Sequence, residues 1–258
     1  GAPEMGAVGA GWATAVGRWV MAFVVLTRGW FWLQIHLDSF RKEVSDRLEM
    51  LQIIRIGCPI GIQTTLEYGV FAVIGLLVGL FGTIAMASHQ IAISLASSTF
   101  MIAVGIAQAT TVLVGRAVGS KNISMARRFA GAGLLNVSVV MATTGLIFFF
   151  LPEFMAQLYT DDLSVIALAT TLIPIAGIFQ IVDGLQAVTS GILRGIGDTL
   201  IPMAINLIGF WLIGLPISAY LGFGLDMASA GLWWGMVVAL AVVCSCLLLR
   251  FKGHFLRD

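Results

Sequence analysis

The sequence predicts an all-α protein, a polytopic membrane bundle of seven transmembrane helices. Three observations carry that prediction. Of 258 residues, 59% are hydrophobic and only 10% charged, with a mean hydropathy of +1.00. An ordinary soluble domain has about 25% charged residues. Seven apolar runs are long enough to cross a bilayer as helix. Basic residues fall in alternate connections between those runs. The balance argues against a soluble enzyme, a nucleic-acid binder or a disordered chain, and a net charge of +1 supplies no steering field.

The first run, Met5–Leu26, has no basic stretch before it and does not read as a signal peptide. The longest connection follows, Thr27–Met50, where Trp30, Phe31, Trp32, Leu33, Ile35, Leu37 and Phe40 precede a charged run. That pattern suits an amphipathic helix on the inner leaflet and equally a linker between two bundles. The next runs are Ile56–Leu80, Ile84–Val114, Ala130–Leu151, Leu163–Leu193, Pro202–Leu221 and Ala230–Leu249. None alternates in the manner of a barrel strand. Pro174 interrupts Leu163–Leu193 and permits a bend, as a hinge or a fixed kink. Cys58, Cys244 and Cys246 lie inside apolar runs and read as small buried hydrophobes.

Charge sets the orientation. Arg28, Arg41, Lys42, Arg47 and Arg55 follow the first run; Arg116, Lys121, Arg127 and Arg128 follow the third. Arg194 follows the fifth, and Arg250, Lys252 and Arg257 follow the seventh. The other connections carry no Lys or Arg, and one holds Glu153, Asp161 and Asp162. Basic loops stay in the cytoplasm, so the N-terminus is expected outside and the C-terminus inside. Arg18, within the first run, is the one cation of the 14 that does not fit.

A short repeat links the two ends. Glu4-Met5-Gly6-Ala7-Val8-Gly9 before Trp12 matches Asp226-Met227-Ala228-Ser229-Ala230-Gly231 before Trp234, at an offset of 222 residues. Both runs cross in the same direction with five runs between them. The expectation is two parallel six-helix bundles, with the first run closing a bundle whose first five helices are absent from this chain. Parallel repeats about an axis along the membrane normal are a transporter feature.

Two acids lie deep inside runs. Glu67 is 12 residues beyond Arg55 and Asp183 is 11 residues before Arg194, or about 18 and 16 Å of helix. Half the hydrocarbon core is about 15 Å, so both acids are expected near the midplane. A membrane-centre acid costs roughly 2.5–3.5 kcal/mol, and such residues mark ion or substrate paths. The plainer reading is a protonated acid hydrogen-bonded to a neighbouring helix. Gln63 lies one turn from Glu67, and Gln180 and Gln186 flank Asp183. Ser94, Ser97, Ser98, Thr99, Gln108, Thr110 and Thr111 crowd the third run, and Asn206 lies in the sixth. Each alone reads equally as interhelical glue. At the outer side, Asp161-Asp162 reads as an N-cap or a cation-attracting rim, and His89 of His89-Gln90 as structural.

These stretches together resemble the multidrug and toxic compound extrusion (MATE) family, in its NorM-like branch. The resemblance is carried by Gly57-Cys58-Pro59-Ile60 with Glu67, Ala87-Ser88-His89-Gln90-Ile91-Ala92, Val114-Gly115-Arg116-Ala117-Val118-Gly119, Phe179-Gln180 with Asp183, and Leu193-Arg194-Gly195 with Asp198-Thr199. It implies half of a 6+6 transporter: residues 1–27 as the last helix of an incomplete N-terminal lobe, 28–50 as a cytoplasmic interlobe linker, and 51–258 as a six-helix C-terminal lobe. It further implies efflux of cationic organic compounds in exchange for Na+ or H+. Glu67 and Asp183 would form the coupling-ion site, holding Na+ as a metal if sodium drives exchange. Phe100 matches an aromatic of the family; it offers a ring face to a cation but no hydroxyl ligand. Gln90 and Asp162 match positions that grip cationic substrates near the outer opening, and Gln63 and Gln180 join them as candidate substrate contacts.

The expected partners are membrane lipid, cationic small molecules and the missing N-terminal helices, with no nucleic acid. No cofactor is expected beyond the coupling ion, and the expected location is the plasma membrane, the inner membrane of a bacterium. Two rivals stand beside this reading. A lipid or polysaccharide flippase of the same superfamily would carry cations in its cavity, whereas here all but Arg18 are expected at the inner surface. A seven-helix receptor shares the span count, but not the repeat or the acid pair. An enzyme is the weakest reading, since the sequence presents no nucleophile–base pair.

The orientation is testable with single cysteines. In a chain whose three native cysteines are replaced, Asp162→Cys is expected to react with an impermeant thiol reagent on intact cells and Lys121→Cys to stay unlabelled. The reverse pattern would invert the topology.

Overall fold

In the computed structural model the described residues are 6–37 and 47–255. Glu4 and Met5 of the repeat, the stretch 38–46 with Phe40, Arg41 and Lys42, the side chains of 31–37, and Arg257 lie outside them. The described residues are helical almost throughout, with no strand among them. The chain divides into two compact units, Gly1–Ile54 and Arg55–Asp258.

In the first unit, α1 spans Gly6–Leu37. It joins the run expected to end at Leu26 to the start of the following connection without a break. The described helices contain six, not seven, that are long and apolar enough to cross a membrane. These are Met50–Gly79, Thr83–Gly119, Ile123–Phe150, Leu163–Ile196, Leu200–Gly224 and Ala228–His254.

The second unit is built from α2 (Arg47–Gly79) from Arg55 onward, α3 (Thr83–Gly119), α4 (Ile123–Phe150), a short α5 (Pro152–Gln157), α6 (Leu163–Ile196), α7 (Leu200–Leu207), α8 (Leu215–Ala219) and α9 (Ala228–Phe255). A π-helical stretch over Ile208–Gly214 joins α7 to α8 and another over Tyr220–Gly224 extends α8, making one rod. Pro216 in the first turn of α8 has no N–H to offer, and the widened turn is closed by Leu215 N–H donating to the Phe210 carbonyl.

Helix α6 is the axis, packing on α3, α4 and α9. Apolar side chains gain little by leaving lipid for one another, so such helices associate through small residues and interhelical hydrogen bonds. A Cβ on Gly177 would lie 3.0 Å from the Gly145 carbonyl of α4, and one on Gly191 2.9 Å from the Ala107 carbonyl of α3. The rod lies closer still to α9, where a Cβ on Gly235 would collide with the Ser218 backbone. Thr111 Oγ1 donates to the Gly191 carbonyl at 2.9 Å and Ser88 Oγ to the Val165 carbonyl at 3.0 Å, tying α3 to α6 at two levels. Large apolar residues fill the remaining space, with Ile74, Phe179, Phe210 and Trp233 fully or nearly fully buried in one cluster.

The α6–α7 turn is closed by Gly197, whose φ of 91° suits a residue without Cβ. Gly197 N–H donates to the Arg194 carbonyl and Asp198 N–H to the Leu193 carbonyl, each at 2.9 Å, the pattern of a left-handed helix stop. This presents the Asp198 carboxylate to α9, where Arg250 Nε donates to Oδ2 at 2.9 Å and His254 Nε2 lies 3.0 Å from the same oxygen. Burial pushes the Asp198 pKa up, but the hydrogen bonds from Arg250 and His254 and their charges outweigh it, and the net shift is below the ordinary 3.8.

The packing and the Asp198 cluster can be tested through stability. Gly235→Ala is expected to lower stability in detergent by about 1–3 kcal/mol through overpacking. Gly131→Ala, with nothing within 4 Å of its Cβ, should be neutral or stabilising by up to about 1 kcal/mol; thermal melts of the purified variants compare them. Asp198→Asn is expected to cost roughly 1–2 kcal/mol at neutral pH, the partial exposure of its partners limiting the figure. A depressed folded pKa means that this stability is present above the unfolded value and is lost as pH falls through the folded one. Melting curves of wild type and Asp198→Asn should therefore separate above about pH 3.8 and converge as pH falls below it.

Candidate functional site

Three helices line a partly open cavity of about 420 Å³. From α2 it receives Gln63, Glu67 and Phe71, from α3 Phe100, Gln108 and Thr111, and from α6 Phe179, Asp183, Gln186 and Arg194. The spacings are helical. Gln63 and Glu67 are one turn apart, as are Phe179 and Asp183, and on α3 Ser97, Phe100, Val104, Ala107 and Thr111 recur every three or four residues. Helix α2 meets the bundle through side chains: Trp211 Nε1 donates to the Leu66 carbonyl at 3.1 Å, and Phe71 meets Phe179 edge to face with ring centroids 5.8 Å apart. Large side chains hold it off at this level and leave room beside Glu67.

The two midspan acids, on different helices, line this one cavity. Asp183 is only 5% exposed, and its Oδ1 has no hydrogen-bond partner among the described residues. Glu67 is half-buried. Neither forms an ion pair; among the described residues both ion pairs are at Asp198. Arg194 lines the same cavity as the two carboxyls. Gln63, 2% exposed, and Phe100 complete the part of the expected site found here. Carboxylate and amide oxygens are suitable donors for a hard cation, although no group of three His, Cys, Asp or Glu occurs among the described residues.

Other expected residues lie elsewhere. Gln180 is fully buried outside the cavity, accepting from Thr99 Oγ1 at 2.5 Å and donating to Thr144 Oγ1 at 3.1 Å, and so ties α6 to α3 and α4. Gln186 lines the cavity but is held by Asn206, its Nε2 donating to Oδ1 at 2.9 Å. Gln90 is exposed on α3, and Asp162 caps α6 by accepting from Ser164 N at 2.8 Å; neither lines the cavity. His89 is buried against Trp233, with ring centroids 5.7 Å apart.

Sequence reasoning missed Phe179 and Arg194 as lining residues. Arg194, read only as a cation of the inner connection, also lines the cavity from the last turn of α6, and its Nε is buried without a partner among the described residues. A signal existed in both cases. Phe179 lies one turn and Arg194 three turns from Asp183 on the same helix face.

Residues 59–220, more than half the chain, match the MatE family profile. The chain belongs to the MatE family. It is 39% identical over 254 residues to a probable multidrug resistance protein NorM of Xylella fastidiosa, covering 98% of this chain and 54% of that protein. It is 38% identical over 261 residues to the multidrug resistance protein NorM of Burkholderia vietnamiensis, covering 97% and 55%. Among solved structures, the eukaryotic MATE transporter AtDTX14 superposes with a TM-score of 0.82 at 24% identity, over 96% of this chain and 56% of that one. A MATE protein in the straight conformation superposes with a TM-score of 0.82 at 17% identity, over 98% and 57%. These likenesses establish a MATE transporter fold. The MatE chain spans about half the length of the curated relatives it matches.

Proposed function

We propose that this chain is one lobe, with one additional helix, of a multidrug efflux antiporter that exports cationic organic compounds in exchange for Na+ or H+. The observation that carries the reading is the cavity in which Glu67 and Asp183, from two helices, meet beside the aromatic rings of Phe71, Phe100 and Phe179. Carboxylates attract a cation, and ring faces accept one while also contacting apolar bulk. The names of the NorM relatives support the multidrug assignment.

On this reading α1 is a seventh span and the last helix of the other lobe, residues 28–50 form the cytoplasmic linker, and residues 51–258 form the C-terminal lobe. The basic residues of alternate loops support an external N-terminus and a cytoplasmic C-terminus in the plasma membrane. Gln90 and Asp162 keep their proposed role as substrate contacts away from the cavity, near the outer opening; Gln63 is a contact within it, and Gln180 a support behind its wall.

The exchange follows from charge. A Na+ ion or proton held by the acid pair offsets the repulsion between two carboxylates and favours one arrangement of the lobes; a cationic drug favours the other. Arg194 gives the flippase reading one cavity cation, but two acids outnumber it, and the formal balance selects cationic cargo.

Glu67→Gln and Asp183→Asn preserve size and remove charge. Each is expected to reduce ion-driven efflux of ethidium by at least about tenfold in proteoliposomes of the full-length protein, normalised to folded protein. The double variant should lose little more than either single one, because the acids act as a unit. Near-normal coupled efflux from both single variants would leave these acids as interhelical hydrogen-bond partners and end the shared-site reading.

A further inference from the structure

We propose that Arg194 is an internal counter-cation of the carboxylate cavity: when the cavity is empty its guanidinium balances Glu67, and a cation entering from solution must displace it. The inference rests on the cation-site reading above and adds how that site is regulated.

Four observations carry it. Arg194 lines the same cavity as Glu67 and Asp183. Its Nε is buried with no hydrogen-bond partner among the described residues, and so is Oδ1 of Asp183. Arg194 forms no ion pair within 4.0 Å with any described residue, so nothing fixes its head to one carboxylate. Glu67, which lines the same cavity, likewise has no ion pair within 4.0 Å among the described residues.

The helix explains the placement. Eleven residues are three turns of α6, so Arg194 shares the face of Asp183. Side chains on a helix lean toward its N-terminus, and an arginine in the last turn therefore leans back over the cavity. An arginine that had only snorkelled to the membrane surface would hold its N–H groups in water. Arg194 is half-buried, and its Nε at least is not held in water.

The energetic role is compensation. Two acids in a low-dielectric cavity carry a large penalty when no cation is present. A guanidinium remains charged at any physiological pH and offsets part of that penalty without leaving the protein. Being tethered yet unpaired, it can shift away from Glu67 without leaving the cavity when Na+ or an organic cation arrives. Like charges then compete for Glu67, and Arg194 lowers the affinity of the cavity for every other cation.

The test uses the full chain in detergent and ethidium as the organic cation, with binding read by fluorescence anisotropy at one fixed pH and ionic strength. Arg194→Gln is expected to bind ethidium about tenfold tighter than wild type, while Arg194→Lys, which keeps the charge, stays within about threefold. In a Glu67→Gln background most of the gain from Arg194→Gln should vanish. Should Arg194→Gln aggregate, Arg194→Met serves as the second neutral variant. Unchanged or weaker binding by the neutral variants, with ethidium still bound by wild type and weakened by Glu67→Gln, overturns the role of Arg194 and leaves the cation site standing. Failure of folded wild type and of folded Arg194→Gln to bind ethidium overturns both.

Discussion

Every helix of the second unit obeys one constraint: apolar residues gain almost nothing by burying against each other when the alternative is lipid. Association must come from close backbone approach and from polar groups that find partners. Helix α6 answers with Gly177, Gly184 and Gly191 at seven-residue spacing, followed by Gly195. The first two contact α4 and the last two α3, each where an added Cβ would be crowded to about 3 Å or less. The threonines and glutamines near this stripe supply the bonds, through Thr111 to the Gly191 carbonyl and through Gln180 to Thr99 and Thr144. Small residues draw the backbones together, and the bonds fix their register.

The cavity is the exception that this packing permits. Where α3 and α6 touch, glycine and alanine leave no gap; where α2 faces them, the larger Phe71 and Phe179 meet edge to face, and Phe100 lines the space beside them. Rigid α3–α6 packing thus gives the acid pair one fixed wall, with Asp183 on it. Glu67 stands on the helix held mainly by side-chain contacts. The bond from Trp211 to the Leu66 carbonyl, one residue before Glu67, pins that helix at the level of the acid. The position of Glu67 relative to Asp183 is therefore governed by a few side chains rather than by a backbone interface.

Depth along each helix was legible in the sequence, and direction around it was not. Counting from Arg55 and Arg194 places both acids at one level because the rise per residue is fixed. The glutamines show the limit. Gln180 and Gln186 lie three residues before and after Asp183, on opposite flanks of the same face, and only the packing of α3 and α4 decides that Gln186 meets the cavity and Gln180 does not. Helix ends depart from the apolar runs for a related reason. An apolar run ends where charge begins, but a helix continues into the interface, so α2 starts at Arg47 rather than Ile56 and α3 runs on to Gly119. Short α5, opened by Pro152, carries too few residues to register as a run.

The charge inventory of the cavity restricts what an exchange mechanism can do there. With both acids ionised, Glu67 and Asp183 against Arg194 leave a formal charge of −1. One monovalent cation brings it to zero, and a second must enter a site with no remaining attraction. On the proposed reading a drug cation and a coupling ion are therefore alternatives at this cavity rather than companions. Their exclusion follows from electrostatic neutrality and needs no steric overlap between them. Such a site tolerates cargo of many shapes, because the attraction is to charge and the aromatic walls impose little geometry. On the proposed reading, breadth of substrate and obligatory exchange have one physical origin, an acid pair whose charge exceeds by one that of the arginine beside it.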